Sequence, residues 1–326
     1  MKAFVKVNNG TFPNLNFYLA WEALTFMGYS VILFEEKDID TLDISVDTPV
    51  FAGVTIFKKI MEKLKINYQP FDCYPEALKP YYGRTLIRST LGEERRKFNI
   101  EPKPVFVKPV LPKQFVGHVW NSIINLIPIT NIPDEAEVWV CEPIKIDSEF
   151  RVYVHDGEIL GVKHYYGDWA RVPNKSEIER VIKNYKPCPI AYGIDFATSW
   201  KQTHEWDRKR FPNHPLEVPT TIVMEVNDGC NLGNYGLDYI HYGEMIVSRW
   251  FEIVGSHVAS EKIKADIDIL KDNEFSQKSG LLDSIKSQNW KNLITKSESK
   301  KARIESMKSF ANSVMESLKE KESYDR

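Results

Sequence analysis

The stretch Met224-Glu225-Val226-Asn227-Asp228-Gly229 ends an apolar run, residues 221–226, with a carboxylate and an amide two positions apart. Side chains alternate along a strand, so Glu225 and Asn227 share one face. A buried charge is costly unless it is paired or used, so a glutamate inside such a run needs an explanation. The pair offers hard oxygen ligands of the kind Mg2+ takes together with phosphate oxygens. Asp195, in Gly193-Ile194-Asp195-Phe196 of the apolar run 190–197, can supply a third. The competing explanation is a turn capped by Glu225 and Asn227, with Asp195 paired to an arginine. Either stretch alone admits both.

Two further stretches place charge in the same setting. Pro104-Val105-Phe106-Val107-Lys108-Pro109 ends on a lysine held by a proline; its ammonium can reach phosphate oxygens, or simply snorkel to water. Val138-Trp139-Val140-Cys141-Glu142-Pro143-Ile144 is followed by Ser148-Glu149-Phe150-Arg151-Val152-Tyr153-Val154, in which Glu149, Arg151 and Tyr153 share a strand face. Glu149 can accept hydrogen bonds from ribose hydroxyls, and Arg151 can hold a phosphate or an anionic transition state. Asp156-Gly157 is a two-residue hairpin turn that brings Lys163 close to Glu149 or Arg151. A plain Glu149–Lys163 cross-strand salt bridge explains that pairing equally well.

Around this centre the first hundred residues read as α/β. Residues 4–7 and 31–34 are short apolar strands, joined by a helix whose apolar positions 19, 20, 23, 24 and 27 are closed by Gly28. Residues 49–54 and 56–64 repeat the strand and helix. The loop Asn8-Asn9-Gly10-Thr11 is neither a dinucleotide fingerprint nor a Walker A loop. The middle is strand-rich, at 105–108, 137–142, 150–155 and 158–164, with a capping box at Ser176-Glu177-Ile178-Glu179 opening a helix. A hydrophilic insertion, 201–215, separates the runs 190–197 and 221–226. Residues 239–241 and 245–253 are expected to be the final strands of the body.

All 18 prolines fall at or before Pro219, and residues 257–326 carry 14 Lys+Arg against 12 Asp+Glu. Ile304, Met307, Ala311, Val314 and Leu318 step by three and four, so a helical C-terminal extension is expected, docked on its own body or on a partner. Over the whole chain 43 Lys+Arg nearly cancel 45 Asp+Glu, which gives no case for nucleic acid or membrane as a partner. No window approaches the roughly 20 apolar residues of a membrane span. The start, Met-Lys-Ala-Phe-Val-Lys-Val-Asn-Asn-Gly, reads as no signal peptide. Cys73, Cys141, Cys188 and Cys230 form no CxxC pair, which argues against zinc or a disulfide framework and for a cytoplasmic protein.

The order Lys108, Glu142, Glu149, Arg151, Asp195, Glu225-x-Asn227 resembles the ATP-grasp superfamily of ligases. The wording at 105–109, 148–168 and 224–237 is most similar to the R2K clade of phages and bacteria. The resemblance covers about residues 80–255. It implies an ATP-grasp fold of mixed α/β and α+β class: an N-terminal Rossmann-like domain at 1–103, ATP-grasp lobes at 104–256, and the helical extension at 257–326. It also implies that Lys108 meets the ATP phosphates, that Glu142, Pro143 and Ile144 line the adenine edge, and that Glu149 holds the ribose. Arg151 and Lys163 would surround the transferring phosphoryl group, and Asp195, Glu225 and Asn227 would carry Mg2+.

The implied activity is an ATP- and Mg2+-dependent carboxylate–amine ligase acting through an acyl phosphate on small-molecule or peptide substrates. Asn231 to Tyr242 is the place to look for substrate contacts, or else a loop serving only its turn. The C-terminal helices offer a surface for a protein partner. Three departures stand out. The flap Pro112-Lys113-Gln114-Phe115-Val116-Gly117 has one glycine, the family's other phosphate-binding lysine could be Arg84, Arg88 or Lys97, and Asp195 and Glu225 are thirty residues apart. The first two favour an alternative, an ATP-binding protein that acts as a sensor or interaction module. A metal-dependent nuclease is a third reading, but Asn227 stands where such an enzyme needs lysine.

Overall fold

The computed structural model describes residues 1–69, 71–202 and 217–257. The expected helical extension and most of the 201–215 insertion lie outside the described residues. Three sheets organise the unit Met1–His257.

Strands β1 (Lys2–Lys6), β2 (Ser30–Phe34) and β3 (Val50–Phe51) form a parallel sheet in the order β2-β1-β3. Parallel neighbours need crossovers; helix α1 (Leu15–Phe26) lies in the one from β1 to β2, and α2 (Val54–Lys63) follows β3. Helix α1 stops where Gly28 takes the left-handed conformation, φ +86°.

The second sheet joins β4 (Ile87–Thr90), β5 (Val105–Pro109), β6 (His118–Trp120) and β7 (Glu137–Cys141) in the order β4-β7-β5-β6. Val107, Val138, Val140 and Trp120 bury one face against α3 (Leu91–Ile100) and Ile129. Strand β4 and α3 precede residue 103, yet their hydrogen bonds and apolar contacts go to this sheet.

The third sheet is antiparallel, in the order β11-β10-β8-β9, from β8 (Ser148–His155), β9 (Glu158–Gly167), β10 (Ala191–Gln202) and β11 (Glu217–Asp228). At the β8–β9 turn Asp156 and Gly157 sit at φ +50° and +81°, as a two-residue hairpin of that type requires. One face, with Val152, Val154, Ile194, Phe196, Val223 and Val226, packs on α4 (Lys175–Asn184) and on Tyr74, Leu78 and Tyr82.

Two local expectations are corrected. Helix α4 is capped by Asn174, whose side chain accepts from the Glu177 N–H, so the cap lies two residues before Ser176. Residues expected as final strands form one helix, α5 (Tyr239–His257). Its buried side chains, Tyr242, Met245, Ile246, Trp250, Ile253 and Val254, recur every three to four residues on one face; Tyr242, Met245 and Ile246 pack on the first sheet and α1, and Trp250 packs on Phe57 of α2. All four cysteines are free thiols. Among the described residues no helix is long and apolar enough to cross a membrane.

Candidate functional site

The thirty-residue gap between Asp195 and Glu225 closes in the simplest way available. Strands β10 and β11 are paired over their length, so the chain runs out along one and returns along the other. Glu225 comes to lie opposite Asp195, Asp195 opposite Arg151, and Arg151 opposite Lys163. Four charged residues thus form one row across four strands. A bulge makes this possible: Phe196 pairs with Val223, leaving Met224 as the extra residue. Without it Val223 and Glu225 would share a face; with it Val223 and Val226 enter the core below while Glu225 faces away.

At the middle of the row Arg151 Nε and Nη2 donate to Asp195 Oδ1 and Oδ2, both at 2.7 Å. Arg151 is 5% exposed and Asp195 2%. Burial works against the charge on Arg151, but the Asp195 carboxylate outweighs it and holds the guanidinium pKa above its ordinary value. The Tyr235 ring lies 4.8 Å from the guanidinium and stacks on Tyr165 at 4.7 Å. Burial, then the Asp195 charge, raises the Glu149 pKa, while a hydrogen bond from Tyr165 opposes the rise.

Asn227 Nδ2 donates to Asp195 Oδ2 at 3.3 Å and to Glu225 Oε1 at 3.4 Å, so the three expected metal ligands converge. The arginine partner once offered as the alternative for Asp195 is therefore real, and it leaves the carboxylate further lone pairs. Two carboxylates and an amide, turned to present its oxygen, suit a hard cation that keeps water and phosphate oxygens, as Mg2+ does. Among the described residues no three His, Cys, Asp or Glu side chains are grouped to hold a metal.

The second sheet faces this row. Lys108, Trp139 and Arg88 are register partners across β5, β7 and β4, which puts them on one face. Lys108 Nζ donates to Glu225 across the gap between the sheets and lies 5.1 Å from the Tyr74 ring. Burial pushes the Lys108 pKa below its ordinary value. A Cβ on Gly117 would stand 2.9 Å from that of Lys108, so the one flap glycine is required where the flap crosses the lysine stem. Residues 142–147 link β7 to β8 and so join the two sheets; Glu142 accepts from the Thr85 N–H at 3.3 Å.

The three candidate phosphate-binding cations separate. Arg84 donates to the carbonyls of Tyr82, Val223 and Met224 at 2.9, 3.1 and 3.0 Å, bracing the bulge. Lys97 lies between Glu93 and Glu94 on α3. Arg88 sits over Trp139 at 5.0 Å, in the Lys108 row and half exposed.

The loop after β11 closes over Arg151. Tyr153 Oη donates to the carbonyls of Gly233 and Asn234 at 2.7 and 2.5 Å, and Asn16 accepts from the Asn234 N–H at 2.9 Å. Tyr165 escaped the sequence reading as a site residue, while Tyr235 falls within the 231–242 stretch where substrate contacts were expected, without being singled out. Tyr235 and Gly236 are both left-handed, φ +43° and +85°, and make the turn of this loop. A groove of about 750 Å³ lined by Phe150, Val162, Ile178 and Ile182 lies under the opposite face and touches none of the row.

Two sheets thus face each other, with cations on one and a carboxylate–amide set on the other. The family model described as "ATP-grasp domain, R2K clade family 2" matches residues 81–245. The chain belongs to this family and has its ATP-grasp fold. Among solved structures it is similar to D-alanine–D-alanine ligase from Bacillus anthracis, at 13% identity over 78% of this chain and 98% of that one, TM-score 0.42. It is also similar to N5-carboxyaminoimidazole synthetase from Staphylococcus aureus, at 15% over 77% and 78%, TM-score 0.48. A RimK domain ATP-grasp protein from Sphaerobacter thermophilus aligns at 14% over 79% and 100%, TM-score 0.41. No curated protein matches the sequence.

Proposed function

We propose that the protein is an ATP- and Mg2+-dependent carboxylate–amine ligase. The observation that carries this is the Glu225–Asp195–Arg151–Lys163 row, bridged to Lys108 of the facing sheet. A substrate carboxylate oxygen would attack the γ-phosphorus of ATP as the bond to the bridging oxygen breaks, releasing ADP. An amine would then attack the acyl carbon; phosphate leaves with the C–O electron pair, and the amine gives up a proton. Such transfers need positioning and charge neutralisation more than covalent help.

Lys108 and Arg88 would take the α- and β-phosphates, Glu149 the ribose, and residues 142–144 the adenine edge. Arg151, held rigid by Asp195 and Tyr235, and Lys163 would neutralise the transferring group. Asp195, Glu225 and Asn227 would hold Mg2+, which when bound neutralises phosphate charge. The Lys108–Glu225 contact stands where nucleotide and metal would separate the two groups. Residues 104–256 would form the nucleotide-binding domain, with β4 lending Arg88, and residues 1–103 with the 231–238 loop would frame the acceptor. Small-molecule or peptide acids and amines are the proposed substrate class.

The second reading, an ATP-binding module without ligase chemistry, is favoured by the single-glycine flap. Calorimetric titration of ATP with and without Mg2+, followed by a screen of acids and amines for ADP release, separates the two. Mg2+-enhanced binding without ADP release for any acid–amine pair would favour the module. Absence of binding at millimolar ATP would end both readings.

A further inference from the structure

Asp228, directly after Asn227, is only 9% exposed and points away from the row, since successive strand residues face opposite sides. Arg249 of α5 donates to it twice, Nε to Oδ1 at 2.8 Å and Nη2 to Oδ2 at 3.3 Å. Tyr68 Oη donates to Oδ2 at 3.2 Å and the Cys230 N–H to Oδ1 at 3.4 Å. The same helix holds the start of β10: Glu252 accepts from Arg249 Nη1 at 2.7 Å and from the Ile190 N–H at 3.0 Å. Where β11 ends, the Gly229 N–H donates to the Ala191 carbonyl at 3.2 Å, and a Cβ on Gly229 would stand 2.4 Å from that oxygen. The backbone that carries Asn227 is therefore fixed from outside the sheet, and α5 supplies a charged clamp.

We propose that Arg249 is a positioning residue for the metal end of the site. Through Asp228 it sets the last turn of β11 so that the Asn227 amide meets Asp195 and Glu225. It touches neither nucleotide nor metal. This inference rests on the reading of Asp195, Glu225 and Asn227 as the Mg2+ ligands. A side chain that orients a ligand from behind changes metal affinity by about 10- to 100-fold when removed. A purely structural ion pair would change stability and leave the metal requirement where it was.

The test uses the full chain with Arg249→Lys, which keeps the charge and loses the two-pronged geometry, and Asp228→Asn, which keeps the size and loses the charge. Each is titrated with ATP at a series of Mg2+ concentrations and with ATP in EDTA, and its thermal unfolding is followed by circular dichroism. The expected result is that both variants need roughly tenfold more Mg2+ for half-maximal enhancement of ATP binding. Their affinity for metal-free ATP should stay within twofold of the parent. An unchanged Mg2+ requirement in folded variants would overturn the proposal, and so would equal weakening with and without Mg2+. If the parent itself shows no Mg2+ enhancement, the assignment of the ligands falls and this inference with it. An enhancement in the parent that both variants retain sinks the Arg249 role alone.

Discussion

The two sheets that face each other handle charge in opposite ways. On the β11-β10-β8-β9 sheet the central pair, Arg151 and Asp195, is buried and joined by two 2.7 Å hydrogen bonds. On the β4-β7-β5-β6 sheet Lys108 is half-buried and Arg88 more open, and Lys108 finds its carboxylate only across the gap. The first arrangement is set when the sheet folds, because an unpaired buried charge is not tolerated. The second depends on how the sheets stand and on what lies between them.

The largest effect should come from unpairing the buried side. Asp195→Ala leaves Arg151 charged and alone, and should cost about 3–5 kcal/mol in urea unfolding. The double variant Arg151→Met, Asp195→Leu sharpens the contrast, because apolar replacements of a buried pair are often near neutral. It should recover most of the stability and none of the nucleotide turnover. Recovery of turnover would show that the row is structural only.

Charges facing the gap should behave differently. Glu225→Ala and Lys108→Ala should each abolish Mg2+-ATP turnover while the unfolding midpoint moves little. Normal turnover in both would remove the site assignment. Arg88→Ala should weaken ATP binding by about tenfold, or ~1.4 kcal/mol, as for one charge-assisted phosphate contact. Arg84→Ala should instead lower stability, since it leaves three backbone carbonyls unpaired, two of them at the bulge, and thermal unfolding distinguishes the two arginines.

The smallest effect is a pH slope. Glu149 has its pKa raised above the ordinary 4.5 by burial and by Asp195. Between 4.5 and that raised value the folded protein binds a proton that the unfolded chain lacks, so the contribution of Glu149 to stability falls as pH rises through the window. Nucleotide binding should move the other way, gaining as Glu149 ionises. Glu149→Gln should remove both slopes, measured by thermal unfolding and ATP titration across mildly acidic pH.

Much of this site is legible without coordinates because the signal is local. A glutamate in an apolar run, a lysine before proline at a strand end and an Asp-Gly turn each report a cost of burial or a backbone preference within a few residues. Residues such as Tyr165 and Arg249 carry no such mark. A tyrosine in an alternating strand reads as ordinary strand surface, and an arginine within an apolar stretch reads as a surface residue until its partner twenty-one positions away is known. The expectation of strands at 239–253 failed because a short apolar run satisfies either period, and only packing against the first sheet selected the helical one.

Sequence by itself determined which residue types stand at the ends of apolar strands, and hence the candidate ligands, because alternation and the penalty for bare charge act over a few residues; the order and wording of those stretches carried the resemblance to the family. Tertiary structure decided their alignment. The Met224 bulge turns Glu225 into the row, the register of β4 against β7 puts Arg88 beside Lys108 while Arg84 is taken up by backbone carbonyls, and α5 clamps Asp228 from behind. Each depends on hydrogen-bond register and close packing between segments far apart in the chain, where short-range pattern carries no information.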